Sequence, residues 1–146
     1  MANKLKLMFL CTGNSCRSQM ADGLAKKIGG DRFEVYSAGV EAHGINPRAI
    51  QIMAELHIDI SKNTSDIIDP NLLNEMDYVI TLCEDAEERC PTIPVHVTKY
   101  HWPFPDPAKS TGTDEEIMEE FRTVRDAIAK RLKEFLNQIE TSTTPR

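Results

Sequence analysis

The sequence has no apolar run longer than a β-strand, which excludes a membrane-spanning helix of about 20 apolar residues. It also lacks an excess of positive charge. Against 23 Asp and Glu there are 17 Lys and Arg, a net charge of −6 that argues against nonspecific nucleic-acid binding. Lys4, Lys6 and Leu7 to Leu10 have the charge of an export signal, but the apolar part is short and no small-residue cleavage site follows. A first buried strand and a cytoplasmic location are therefore expected. No cysteine pair has the two-residue gap of a zinc knuckle: four residues separate Cys11 from Cys16, and six separate Cys83 from Cys90. Four cysteines without an export signal point to thiol chemistry rather than a disulfide framework. His43, His57, His96 and His101 show no ligand spacing and read as surface or packing residues. Repeats and low-complexity segments are absent too.

What is present suits one domain, since 146 residues can bury roughly two-thirds of their unfolded surface in a single core. Residues 1–140 read as one catalytic domain and 141–146 as a polar, disordered tail. Residues 4–10 form a buried strand, and Met20, Leu24, Ala25 and Ile28 recur at helical spacing over 18–29 before Gly29-Gly30 stops the helix. Phe33–Ala38 is a second strand, which makes a βαβ unit and predicts a parallel sheet. Asn46-Pro47 starts a helix ending near His57. Pro70–Met76 makes a short helix, Tyr78–Leu82 a third strand, Glu84–Arg89 a short charged helix, and Val95–Val97 a fourth strand. Lys99–Gly112, with Pro103, Pro105 and Pro107, is a long loop of functional character. Thr113 and Glu116 form a capping box for a long C-terminal helix.

The chemistry concentrates in residues 11–17, Cys-Thr-Gly-Asn-Ser-Cys-Arg, between the first strand and the first helix. Such a turn presents backbone N–H groups to an anion. Gly13 permits close approach, Asn14 tolerates the left-handed region, and Ser15 and Ser18 can bond locally. Arg17 adds a planar fork of donors for a tetrahedral oxyanion. Cys11 then sits in a positive field that favours thiolate, a nucleophile facing an oxyanion. In parallel sheets ligands bind beyond the carboxyl ends of strands. Cys11 and Cys83 both end strands, so they open on one crevice, which Asp106 reaches from the later loop.

Cys11-x5-Arg17-Ser18 with Asp106-Pro107 downstream resembles the low-molecular-weight protein tyrosine phosphatases. Residues 5–138 are more closely similar to the thioredoxin-coupled arsenate reductases built on that fold, through Cys-Thr-Gly-Asn-Ser-Cys-Arg-Ser-Gln-Met-Ala, Tyr-Ser-Ala-Gly, Thr-Ser-Asp-Ile-Ile and Val-Ile-Thr-Leu-Cys. Two features depart from the phosphatases: Gln19 replaces a proline, and Ala108 stands where an aromatic residue would stack on phosphotyrosine. Cys83 and Cys90 are thiols that hydrolysis does not need. The resemblance implies an α/β fold, a three-layer sandwich with a central four-stranded parallel sheet flanked by helices.

It further implies a triple-cysteine relay. Cys11 attacks arsenate, held by Thr12, Gly13, Asn14, Ser15, Cys16, Arg17 and Ser18; Asp106 protonates the departing oxygen. Cys83 then attacks Cys11, and Cys90 attacks Cys83, leaving a disulfide for thioredoxin. A regular helix places residues seven apart at about 10.5 Å, beyond the roughly 7 Å limit for a disulfide, so the 83–90 segment must bend or unwind. Some reductases of this kind hold potassium, and the corresponding residues are Asn14, Asp22, Ser37 and Asp66, Asp22 standing for a longer glutamate. Otherwise no tightly bound cofactor is expected, and the chain is read as a monomer. Cys16 packs beneath the loop, and Trp102 covers a loop or meets a partner. The rival readings are a phosphomonoester or tyrosine phosphatase and a noncatalytic redox sensor.

Overall fold

The computed structural model describes residues 4–90 and 92–143. Strands β1 (Leu5–Cys11), β2 (Phe33–Gly39), β3 (Tyr78–Thr81) and β4 (Thr98–His101) form one parallel sheet in the order β2-β1-β3-β4. β1 is central because it is apolar on both faces, as a parallel strand covered on both sides must be. Leu7 and Phe9 pack with β3 Ile80 against α1 (Arg17–Gly29), α2 (Pro47–Ala54) and α5 (Asp114–Thr143). Met8 and Leu10 face the other way, with Val79, towards α3 (Pro70–Asn74) and α4 (Glu84–Arg89). The result is the expected three-layer sandwich.

The register Cys11↔Gly39 and Leu10↔Thr81 brings the carboxyl ends of β1, β2 and β3 to one edge of the sheet. Helix α5 covers one face with Phe121, Val124, Ile128, Leu132, Phe135 and Leu136, spaced as a helical stripe. Its capping box forms: Thr113 N–H donates to Glu116 Oε1 at 3.0 Å, and Glu116 N–H to Thr113 Oγ1 at 3.1 Å.

Four local expectations need correction. The fourth strand is Thr98–His101, not Val95–Val97, because Pro94 starts a turn in which Val97 N–H donates to Pro94 O at 3.0 Å. Val97 enters the core while Val95 points into solvent, so its β-branched side chain marks no strand. The proline loop consequently starts after His101. Helix α2 ends at Ala54 rather than His57, since His57 adopts φ +61 and closes the helix with His57 N–H to Ala54 O and Ile58 N–H to Met53 O. Trp102 is 3% exposed and belongs to the core: its ring meets Phe135 edge-on, with centroids 5.3 Å apart. Finally, α5 runs to Thr143, three residues into the segment read as a tail; residues 144–146 lie outside the described residues.

Candidate active site

The loop between β1 and α1 becomes an anion cradle through the fate of its carbonyl groups. Residues 40–46 run beside it as a strap whose N–H groups take those carbonyls: Val40 to Cys11 O at 3.3 Å, Glu41 to Thr12 O at 2.8 Å, His43 to Gly13 O at 2.9 Å and Asn46 to Ser15 O at 3.1 Å. The Asn14 carbonyl accepts from Ser65 Oγ at 3.0 Å and Gln19 Nε2 at 3.1 Å. Across a planar trans peptide the N–H points opposite the C=O, so tying the carbonyls outward turns the following N–H groups inward. They face a cleft of about 300 Å³ lined by Cys11, Thr12, Ser15, Cys16, Arg17 and Asp106, among others.

Asn14 sits at φ +49, as the sequence allowed, and its side chain sets the hydrogen bonds of Cys11. Backbone Asp66 N–H donates to Asn14 Oδ1 at 2.9 Å, which fixes the carboxamide with Nδ2 towards Ser18 Oγ, 2.8 Å away. Ser18 accepts that bond, leaving its hydroxyl hydrogen for Cys11 Sγ at 2.9 Å. A hydrogen bond donated to sulfur stabilises negative charge there.

Arg17 is buried. Its Nη1 donates to Phe104 O at 3.0 Å, and Nη2 lies 3.7 Å from Asp106 Oδ2. Its Nε is buried and without a hydrogen-bond partner among the described residues, an orphan donor at the cradle. Asp106 Oδ1 accepts from Ala108 N–H at 3.0 Å, which orients the carboxylate at the cleft. Cys16, 5% exposed, has its thiol pushed up to about 12, chiefly by burial and then by the charges of Asp106 and Cys11, so it stays protonated.

Cys83 follows β3 and caps α4: its Sγ accepts from Ala86 N–H at 3.4 Å and lies 3.4 Å from Thr12 Oγ1, which joins it to the cradle. Cys90 closes α4 at the other end, half-buried, and burial pushes its thiol up, Lys99 opposing. All four cysteines are free thiols. Polar contacts clasp the helix between the two. Thr81 Oγ1 and Lys99 Nζ donate to Glu87 at 2.8 and 2.7 Å, His101 Nε2 is 3.2 Å from Glu84 Oε1, and Arg89 Nη2 donates to Glu41 Oε2 at 3.0 Å. The Lys99 hydrogen bond holds the Glu87 carboxyl below its ordinary range.

The structure thus brings Cys11, Arg17, Ser18 and Asp106 together, with Cys83 joined to them through Thr12 and Cys90 one helix away. It adds two cleft residues: His43, expected at the surface or in packing, and Lys109, expected only as part of the long proline loop. Lys109 has a local signal, lying three residues beyond Asp106; His43 has none, because only the strap's path brings it to Gly13.

The four residues expected around potassium are divided. Asp22, Ser37 and Asp66 line a separate cleft of about 270 Å³, while the Asn14 carboxamide is bonded to Ser18, Gln19 and the Asp66 backbone. Asp22 is buried, which holds its carboxyl above the ordinary range; Lys26 and Asn63 oppose this. Asp22 Oδ2 accepts from Asn63 at 3.1 Å and Lys26 at 3.3 Å, and its Oδ1 lies 3.2 Å from Lys26 Nζ without hydrogen-bond alignment. An ammonium therefore already faces the buried Asp22 carboxylate.

A family model described as low molecular weight phosphotyrosine protein phosphatase matches residues 6–144. An arsenate reductase of Bacillus subtilis (strain 168) is 58% identical over 135 residues, 92% of this chain and 96% of the relative. One of Bacillus licheniformis is 59% identical over 133 residues, 91% and 96% of the two chains. Among solved structures, an arsenate reductase in the phosphate binding state superposes with a TM-score of 0.76 at 36% identity, covering 92% of this chain and 98% of that one. A thioredoxin-dependent arsenate reductase of Corynebacterium glutamicum gives a TM-score of 0.73 at 29% identity, covering 98% of this chain and 66% of that one. The chain belongs to the low molecular weight phosphotyrosine protein phosphatase family and, within it, to the arsenate reductases.

Proposed function

We propose that this chain reduces arsenate to arsenite by passing oxidation through three thiols to thioredoxin. The cradle holds the oxyanion through its N–H groups and Arg17, and Cys11 thiolate attacks arsenic. An S–As bond forms, an As–O bond breaks, and the oxygen leaves as water with a proton from Asp106. Cys83 thiolate next attacks Cys11 Sγ. As the S–S bond forms, the S–As electron pair stays on arsenic, which leaves as arsenite, reduced by two electrons. Cys90 thiolate then attacks Cys83 Sγ and releases Cys11 thiolate, so the disulfide lies across α4, where the dithiol of thioredoxin reduces it.

The observation that carries this reading is the position of Cys83, buried beside the cradle with its sulfur 3.4 Å from Thr12 Oγ1 and a second thiol at the far end of its own short helix. A hydrolase has no use for that pair. The test is arsenate-dependent NADPH oxidation with thioredoxin and thioredoxin reductase. The parent turns over, and Cys11→Ser, Cys83→Ser and Cys90→Ser each lose thioredoxin-coupled turnover; an inactive parent sinks the reading. A phosphatase is the second reading, favoured by the same cradle and Asp106. Fast aryl phosphate hydrolysis that survives Cys83→Ser would select it.

The enzyme works as a cytoplasmic monomer. Among the described residues no helix is long and apolar enough to cross a membrane, which is consistent with that placement. A potassium ion is proposed on narrower ground, the cleft that Asp22, Ser37 and Asp66 share. Lys26 competes for the same carboxylate, so the ion acts weakly, stiffening the back of the loop. Exchanging KCl for NaCl at constant ionic strength tests it, with a higher arsenate KM expected in sodium; equal KM values remove the ion from the account.

A further inference from the structure

Two features of the molecule remain unused by the relay. One is the pair Glu41 and His43 in the strap; the other is Arg89 on α4. They form a continuous chain: Arg89 Nη2 donates to Glu41 Oε2 at 3.0 Å, and Glu41 Oε1 lies 2.6 Å from His43 Nε2. These bonds hold the Glu41 carboxyl below its ordinary range. The His43 ring lies directly on the cradle. A Cβ placed on Gly13 would meet His43 Nδ1 at 2.3 Å and Cγ at 2.6 Å, so the imidazole fills the space that a side chain there would take. The same two residues supply the N–H groups that take the Thr12 and Gly13 carbonyls. The strap that turns the cradle's donors inward is thus tied to the helix that must unwind.

We infer that Arg89, Glu41 and His43 are positioning residues that couple the redox state of the Cys83–Cys90 pair to the oxyanion affinity of the cradle. This rests on the thiol relay proposed above. With α4 helical, Arg89 holds Glu41, Glu41 holds the imidazole, and the imidazole braces Gly13. Residues seven apart in a helix are about 10.5 Å apart, so closing a disulfide between Cys83 and Cys90 must unwind Glu84–Arg89. Arg89 is then carried off Glu41 and the brace on Gly13 loosens. Oxidised enzyme holds a tetrahedral oxyanion less tightly than reduced enzyme, so the cradle regains its affinity only after α4 is rebuilt. By linkage, an oxyanion in the cradle makes the Cys83–Cys90 disulfide easier to reduce by the same factor.

The link is solvent-exposed, which keeps the expected factor small, about fivefold, at the lower end of ordinary coupling. The probe is inorganic phosphate, bound to the full-length Cys11→Ser chain so that no Cys11 disulfide competes. Its affinity is measured by calorimetry with the Cys83–Cys90 pair reduced and oxidised. The disulfide forms in a dithiothreitol redox buffer, two thiols giving up two electrons and two protons to the oxidised dithiothreitol, and is confirmed by peptide mapping. Phosphate should bind about fivefold more weakly after oxidation, and saturating phosphate should raise the midpoint potential by about 20 mV, at 29.6 mV per tenfold. Glu41→Ala should lower the reduced-state affinity to the oxidised value, leave the oxidised value alone and abolish the potential shift. Arg89→Ala, on the surface, should do the same, and Arg89→Lys should restore part of it. Equal phosphate affinity in the two redox states overturns the inference, as does a loss in Glu41→Ala and Arg89→Ala that is the same in both states. A Cys83–Cys90 disulfide that never forms refutes the relay instead.

Discussion

Gly39→Ala is the sharpest test of the view that the cradle is made by its strap. Gly39 ends β2 where the strap leaves the sheet, and a Cβ there would lie 2.5 Å from Glu41 O, 2.7 Å from Asn14 N and 2.8 Å from Thr12 O. All three are backbone atoms, so no rotamer change relieves the contact. Gly39 cannot retreat either, because its N–H donates to Asp66 O at 2.8 Å and its carbonyl accepts from Ile68 N–H at 2.9 Å. Strap and loop must part by about half an ångström before the closest contact becomes tolerable. That movement acts on the Glu41 to Thr12 hydrogen bond and on the Asn14 peptide.

Overpacking of this kind costs about 1–3 kcal/mol of stability. Misplacing reacting groups by near 1 Å can cost about 100-fold, so a shift of about half that should lower kcat/KM for arsenate by roughly tenfold. The control is Gly30→Ala at the end of α1, where φ is +58 and nothing lies within 4 Å of the added Cβ. With ψ at −137 as well, an alanine there should lose about 1–3 kcal/mol through backbone strain alone and keep parent-like turnover. Urea unfolding gives the stability of both proteins, and the thioredoxin-coupled assay gives turnover on the fraction that is folded. Parent-like kcat/KM in Gly39→Ala, or the same activity loss in Gly30→Ala, would refute the reasoning.

Two further changes separate structural from chemical roles. Cys16→Ala should leave arsenate turnover within about twofold of the parent and cost about 1 kcal/mol of stability, as expected for a buried thiol that packs; a thiol held at about 12 should also resist alkylation in the native protein at neutral pH. Glu55 clamps α2 to α5, accepting from Arg122 Nε and Nη2 and from Arg125 Nη1, and these hydrogen bonds pull its carboxyl from 4.5 to about 2. A pKa depressed by folding gives stability that is present above the unfolded value and lost as pH falls towards the folded one. At 37% side-chain exposure the clamp is worth about 1 kcal/mol after screening, so Glu55→Gln should melt about 2–4 °C below the parent at pH 7. That gap should close between pH 4.5 and 2 in a thermal scan; a gap independent of pH contradicts the assignment.

The strand, loop and helix at the N-terminus were legible because their signals are local: an apolar run, a turn with Gly13 and Asn14, then a helical period. The capping box at Thr113 and Glu116 was legible for the same reason. Failures came where a local signal competed with a distant one. Val95 and Val97 look like a strand, but Pro94 turns the chain, and the pairing partner of β3 is Thr98–His101. Trp102 reads as a surface aromatic until Phe135, 33 positions later, is known to meet it. The clasp on α4 depends on side chains from three elements, so the charged run Glu84–Arg89 alone suggests only a solvated helix.

Gln19 shows how a departure from the phosphatase pattern contributes to the site. At that position the phosphatases are expected to carry proline, which has no side-chain donor. Here a fully buried glutamine directs Nε2 to the Asn14 carbonyl at 3.1 Å, Asn14 Oδ1 at 3.1 Å and the Thr64 carbonyl at 3.0 Å, and its Oε1 accepts from Asn63 Nδ2 at 3.0 Å. It therefore does for Asn14 what the strap does for its neighbours, tying off a carbonyl on the side away from the cleft. It also ties the loop to residues 63 and 64, and Asn63 carries the connection on to the buried Asp22. The motif from Cys11 to Arg17 supplies the nucleophile and the cation, but the direction of its N–H groups is decided by Gln19, Ser65 and the strap. In this chain the direction of the cradle's N–H groups is a property of residues 11–66 rather than of one seven-residue motif.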